Sequence, residues 1–269
     1  MRTALSRYGW PVLVGACWLV LLFLMLPTLV AVPVSLTPER YLSLPTDSIS
    51  FRHYGTLFTD PQWISSVGQS FFIATVTAML SVGLGALAAV GLWRIASQLS
   101  ETVRLLALAP LIVPPVVSAL AFYWFFARLG LIDSFVGVIL AHTILAAPYV
   151  LVTVAASLAT VDVRQEQASL SLGASHAQTI RHVILPQAKP GLITGAVFAF
   201  LISWDEIVVT LFIASRRVYT LPRKMWDGIQ ERVDPTIAAA ATVLFAVTVM
   251  LVLFEFLRSR RSGGDPAGI

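Results

Sequence analysis

The chain has 269 residues, of which 57% are hydrophobic and 12% charged, with a net charge of +4 and a mean hydropathy of +0.83. Soluble domains carry about 25% charged residues, so a water-soluble globule is excluded; disorder, which needs polar and charge-rich composition, is excluded with it. A single cysteine rules out a disulfide framework and a multi-thiolate metal site.

A helix needs about 20 apolar residues to cross the hydrocarbon core. Six stretches meet that length: 10–34, 71–93, 105–127, 135–159, 191–214 and 237–257. They are continuously apolar, which argues for helices over the alternating segments of a β-barrel. The expected class is an all-α, polytopic membrane protein with six transmembrane helices in one domain, 1–269.

The first stretch contains Val14-Gly15-Ala16-Cys17, similar to a lipoprotein cleavage box. The apolar run continues well past Cys17, so an uncleaved anchor is expected. Six spans put both termini on one side. If that side is cytoplasmic it holds ten Lys and Arg residues against eight outside, a small excess in the direction of the positive-inside rule. The third stretch carries Pro110, Pro114 and Pro115 and should kink or break there. It ends in Phe122–Phe126, expected to form an interfacial aromatic belt. His142, in the fourth stretch, suits either a hydrogen-bonded packing role or a pathway role.

The segment 160–190 is the most structured of the polar connections. Asp162 with Gln165 predicts a capping box at the start of a short helix. Gly173 predicts a turn with positive φ, and Ser175 with Gln178 a second box. The second helix is expected to reach about His182 and stop at Pro186. The small residues Ala168, Ser169, Ser171 and Ala174 line the turn and allow another surface to approach the backbone. On local chemistry alone, a plain connector and a docking element both remain open. The fifth stretch opens with Gly191-x-x-x-Gly195, a close-packing signal. It also holds Asp205 and Glu206, the only carboxylates deep in a predicted span. Each costs about 2.5–3.5 kcal/mol at a helix centre on insertion scales. Beside Trp204 they are candidates for a cation-attracting pathway or gate. The alternative is that backbone groups or an arginine such as Arg216 satisfy them. The tail Arg258–Ile269 is expected to be a disordered end.

No phosphate-binding loop, zinc-protease helix or nucleophile elbow occurs. No catalytic residue, metal site or resident cofactor is therefore expected, and the scattered basic residues suit lipid headgroups rather than nucleic acid.

Glu166-Gln167-Ala168-Ser169, three residues, Gly173, nine residues, Val183-Ile184-Leu185-Pro186 resembles the EAA loop of binding-protein-dependent ABC importer permeases. In register, Gln167 stands where the family has the glutamate that contacts the ATPase, with Glu166 adjacent. Pro114-Pro115, Ala147-Pro148-Tyr149, Ser203-Trp204-Asp205-Glu206, Thr220-Leu221-Pro222 and Asp234-Pro235-Thr236-Ile237-Ala238 extend the resemblance. It is most similar to the second permease of spermidine/putrescine systems. The resemblance implies a type I importer permease fold in a bacterial cytoplasmic membrane with cytoplasmic termini. It implies a second permease in a heterodimer, a periplasmic or extracellular solute-binding protein, and an ATPase dimer that carries the ATP and Mg. It assigns ATPase coupling to Glu166, Gln167, Ala168, Ser169, Gly173, Ala174, Leu185 and Pro186. Import of another small solute, or proton-coupled secondary transport through Asp205 or Glu206, are the alternatives.

Overall fold

The computed structural model describes residues 2–46, 48–95, 98–231 and 234–262. They form α1 (Arg2–Ser35), α2 (Arg52–Thr59), α3 (Pro61–Ile95), α4 (Gln98–Leu108), α5 (Pro115–Leu129), α6 (Phe135–Leu158), α7 (Val163–Ser171), α8 (His176–Thr179), α9 (Leu185–Asp205), α10 (Val208–Ile213), α11 (Leu221–Glu231) and α12 (Thr236–Ser262). A 3₁₀ turn, Ala109–Leu111, precedes α5, and a π-helical turn, Ile180–Ile184, precedes α9. No strand occurs among the described residues. The chain divides into two compact units, Met1–Ile64 with Met225–Ile269, and Ser65–Lys224.

In the first unit α1 and α2 both pack on α12. Every residue from Trp10 to Val30 is exposed, which suits a helix solvated by lipid chains. Three prolines lie inside α1, as transmembrane helices tolerate. The polar segment after α1 folds back by satisfying its own groups. The Ser50 N–H donates to the Leu36 carbonyl (2.9 Å), and the hydroxyls of Ser35 and Tyr54 meet at 2.7 Å. His53 Nε2 lies 2.9 Å from the Glu39 carbonyl. At the other end the Asp234 carboxylate accepts the Thr236 N–H (2.9 Å) at the start of α12.

In the second unit α6 is the axis. Val138, Ala141, Ala146, Val150, Val154 and Leu158 are fully buried along it. Two helices approach it at glycines. A Cβ on Gly195 of α9 would stand 2.7 Å from Thr153 Oγ1, and one on Gly191 would stand 2.5 Å from the Thr153 carbonyl. On α3, a Cβ at Gly85 would meet the Val150 Cβ at 2.7 Å. The Gly191/Gly195 pair is thus a packing device.

Among the described residues, four helices are long and apolar enough to cross a bilayer. A fifth crossing is present if α4 and α5 count as one span bent by 98°. The sixth predicted stretch, 237–257, lies within α12 (Thr236–Ser262), of which Thr236–Leu251 is an apolar helix among the described residues. Two predicted spans are not single continuous helices. The 105–127 stretch breaks, because Pro114 is held at ψ 136° ahead of Pro115 and α5 restarts there. The 191–214 stretch ends early: α9 stops at Asp205 and α10 is a separate turn. It also begins early, because Pro186 does not stop the preceding helix. The π-helical turn widens the backbone before Leu185, and Pro186 enters in the first turn of α9, where no N–H is required. The aromatic belt is only partial, since Phe126 is 3% exposed and stacks on Phe122. Of the tail expected to be disordered, 258–262 continue α12; 263–269 lie outside the described residues.

Candidate functional site

The two clusters of candidate residues sit at different levels of the second unit. At one end, α7 and α8 form the helical loop between α6 and α9. Asp162 caps α7 by accepting the Arg164 N–H (2.9 Å). The box with Gln165 does not form. Gln165 turns away and its Oε1 accepts a hydrogen bond from Gln187 of α9 at 2.7 Å, a partner that local spacing could not reveal. The second box forms fully, with the Ser175 N–H on Gln178 Oε1 (2.8 Å) and the Gln178 N–H on Ser175 Oγ (3.3 Å). Gly173 turns the chain at φ +87°, a conformation that penalises any side chain.

The loop residues separate by exposure. Gln167, Ala168, Gly173, Leu185 and Pro186 are exposed, while Ser169 and Ala174 are half-buried. The Ser169 hydroxyl lies 3.0 Å from that of Thr179 and joins α7 to α8. Leu172, at the tip, is 89% exposed. Glu166 faces inward, where its carboxylate pairs with Arg94 Nε at 2.8 Å and its side chain is only 12% exposed. Glu166 therefore does not take the outward place that the loop resemblance gives a glutamate; Gln167 occupies that face.

The second cluster surrounds the gap between α9 and α10. A cavity of about 560 Å³ is lined there by Pro110, Pro115, Tyr149, Trp204, Asp205 and Glu206, among others. The broken α4/α5 pair and the broken α9/α10 pair thus border the same space. Trp204 is half-buried and stacks on Phe200 (centroids 5.8 Å apart, interplanar angle 17°). Asp205 is exposed and accepts no hydrogen bond among the described residues. Glu206 is half-buried, and its Oε1 accepts the Val209 N–H (2.8 Å) at the start of α10. The carboxylate thus caps α10, and a backbone group rather than Arg216 satisfies it.

His142 holds this gap from behind. It is 1% exposed; Nδ1 lies 2.9 Å from the Ser203 hydroxyl and Nε2 3.1 Å from that of Thr210. The Thr210 hydroxyl also lies 3.1 Å from the Glu206 carbonyl, so His142, Thr210 and the Glu206 backbone form one hydrogen-bonded chain. His142 does not line the cavity. Its ring joins the last turn of α9 to α10, which is a packing role.

Sequence reasoning missed Asp133. Its carboxylate accepts the N–H groups of Ser215 (2.8 Å), Arg216 (3.1 Å), Arg217 (3.0 Å) and Val218 (3.2 Å). Its own backbone adopts φ 54° to reach them. Partial burial alone would raise the Asp133 pKa, but the four amides outweigh it and hold the group near 2, below its ordinary 3.8. An Asp between Gly130 and the helix-capping Ser134 signals a turn; its partners 82 or more residues later leave no local trace. Arg94 was missed too, because a basic residue ending a helix also fits an interfacial charge.

Residues 81–262 match the family described as "Binding-protein-dependent transport system inner membrane component". The chain is 29% identical to the spermidine/putrescine transport system permease protein PotC of Haemophilus influenzae, over 89% of this chain and 93% of the relative. It is 30% identical to the putrescine transport system permease protein PotI of Escherichia coli K12, covering 88% and 87%. It is also 30% identical to the molybdenum transport system permease protein ModB of Mycobacterium bovis, covering 79% and 87%. Among solved structures, a bacterial alginate ABC transporter in complex with an alginate-pentasaccharide-bound periplasmic protein aligns with a TM-score of 0.71. It does so at 18% identity, covering 98% of this chain and 99% of that one. With the family match spanning most of the chain, and the glycine-packed helices and capped loop in the matched region, this protein belongs to the inner membrane components of binding-protein-dependent transport systems, the permeases of ABC importers.

Proposed function

We propose that this permease imports polyamines or chemically similar small organic cations, with ATP hydrolysed on a partner ATPase. The observation that carries the solute class is the cavity at the helix break. It offers an exposed carboxylate, Asp205, beside the aromatic faces of Trp204 and Tyr149. Aromatic faces and carboxylates both attract ammonium groups. The similarity to PotC and PotI supports the same class. ModB, at equal identity, keeps a second reading alive, a different small solute; an anionic one would meet repulsion from Asp205 and Glu206.

In this reading a solute-binding protein delivers cargo to the cavity side, as the periplasmic partner of the alginate transporter suggests. A second permease completes the pathway, as a heterodimer. The 160–190 loop meets the ATPase through Gln167, Ala168, Ser169, Gly173, Ala174, Leu185 and Pro186, which puts this loop and both termini in the cytoplasm. From Leu185 to Asp205, α9 rises about 30 Å, so one rigid helix reaches from the loop to the cavity. Movement of the loop on ATP binding then tilts the cavity wall, which is alternating access by rigid-body motion.

The test is reconstitution of the permeases with their ATPase and binding protein in proteoliposomes. Radiolabelled spermidine or putrescine should accumulate with ATP and stop when the ATPase is disabled. Uptake that follows a proton gradient without ATP overturns the energy source. Failure to compete with an inorganic or anionic cargo overturns the solute class.

A further inference from the structure

The loop residues are braced to one another and to α9, but one polar tie leads elsewhere. Arg94 ends α3, some seventy residues before the loop. Its Nε pairs with Glu166 Oε1 of α7 at 2.8 Å, and its Nη2 donates to His176 Nδ1 of α8 at 2.8 Å. One guanidinium therefore grips both loop helices. A planar fork with donors on separate edges suits that task, and a lysine ammonium does not. The pair is partly shielded, at 28% and 12% side-chain exposure, so it is less screened than a surface pair.

The other bonds between two side chains of the loop, Gln165–Gln187 and Ser169–Thr179, stay between neighbouring segments. Among the described residues, Arg94 makes the polar link from α7 and α8 to a distant helix. That helix is itself set against the axis of the unit, since Gly85 lies against Val150 of α6. A push on α7 thus has a stiff route into α3, besides chain continuity into α6 and α9.

We propose that Arg94 is a positioning residue for coupling: it makes α3 move with the 163–179 loop, through Glu166 and His176. This rests on the proposed role of that loop as the ATPase contact. Glu166 acts inside the chain, and the outward face of α7 is left to its partner.

The test uses the whole importer complex in proteoliposomes, reading spermidine carried per ATP hydrolysed. Arg94→Ala should lower that ratio by about fivefold while ATP hydrolysis continues, the scale of a residue that modulates coupling. Arg94→Glu with Glu166→Arg restores the pair with reversed charge, and leaves a carboxylate for His176. It should return the ratio to within about twofold, as expected for a direct pairwise interaction. A parental ratio in Arg94→Ala overturns the proposal, and so does a low ratio in both variants. If Arg94→Ala fails to reach the membrane, Glu166→Gln, which keeps the bond to His176, carries the same readout. If the parental complex shows no ATP-linked spermidine uptake, the functional reading fails separately. Amide exchange across 163–171 then decides: faster exchange in Arg94→Ala, reversed by the swap, supports the clamp, and unchanged exchange overturns it.

Discussion

The Asp133 carboxylate lies 2.8 Å from the Ser215 N–H and holds a turn of the chain 82 residues away. Three further amides converge on the same two oxygens, making a backbone nest filled by a side chain. The α5–α6 turn and the strap after α10 are thereby fixed together. Because the native pKa is near 2 against an ordinary 3.8, the folded state binds fewer protons than the unfolded chain as pH falls. The contribution to stability is complete above about pH 4 and fades as pH drops through about 2. Asp133→Asn should be less stable than the parent at neutral pH, with the gap closing over that window. Intrinsic tryptophan fluorescence of the purified protein, followed during unfolding at several pH values, measures it.

Gly195 and Gly191 allow α9 to touch the backbone of α6. Replacing Gly195 by leucine forces a side chain into Thr153 and Val150, where even a Cβ would be too close. The expected cost is about 1–3 kcal/mol or more, as in other overpacked sites. A lowered midpoint in a detergent thermal-unfolding assay checks this. Gly91, which meets nothing within 4 Å, serves as the tolerant control.

Class, helical content and the loop were legible because they follow from composition and short-range spacing. The Ser175–Gln178 box and the positive φ at Gly173 involve residues within one turn, and both appear as read. The Asp162–Gln165 box obeys the same local rule and fails, because a glutamine on another helix competes for Gln165. The break between α9 and α10 was misread for a related reason. Hydropathy counts apolar residues and is blind to a backbone that turns among them, so 191–214 looked continuous, whereas the prolines of 105–127 marked the break found there. At Glu206 the break is stabilised by Val209 and, through Thr210, by His142 on α6. Only the second of these is remote in sequence, yet it was enough to hide the gap. Arg94 and Asp133 lie wholly on the illegible side, each joined to partners about seventy to eighty residues away.

The two neighbouring carboxylates should separate in their effects. Glu206 caps α10, so Glu206→Ala should lower stability by about 1 kcal/mol, the usual scale of a lost cap. Asp205 has no such duty. Asp205→Asn should leave the unfolding midpoint unchanged and weaken spermidine uptake, chiefly by raising its KM. Uptake kinetics and thermal unfolding on both variants make the distinction. Unchanged uptake in the Asp205→Asn, Glu206→Gln double variant would remove the cavity from the pathway.

Gly173 sits between α7 and α8 at φ +87° with open space around its missing side chain. Sterics against neighbours therefore do not constrain it, and the backbone does. Gly173→Ala should cost about 1 kcal/mol locally, since alanine must adopt a left-handed conformation. Gly173→Pro is more severe, because proline cannot adopt positive φ and lacks the N–H that donates to the Leu170 carbonyl at 3.0 Å. The turn would reopen and α7 would lose its fixed angle to α8, while the buried packing of α6 on α9 is untouched. The expected phenotype is normal abundance in the membrane with ATP hydrolysis continuing and transport lost. Immunoblots of membrane fractions, with uptake and phosphate release measured on one preparation, read all three. Coupled transport at the parental ratio in Gly173→Pro would show that this turn does not set the geometry of the ATPase contact.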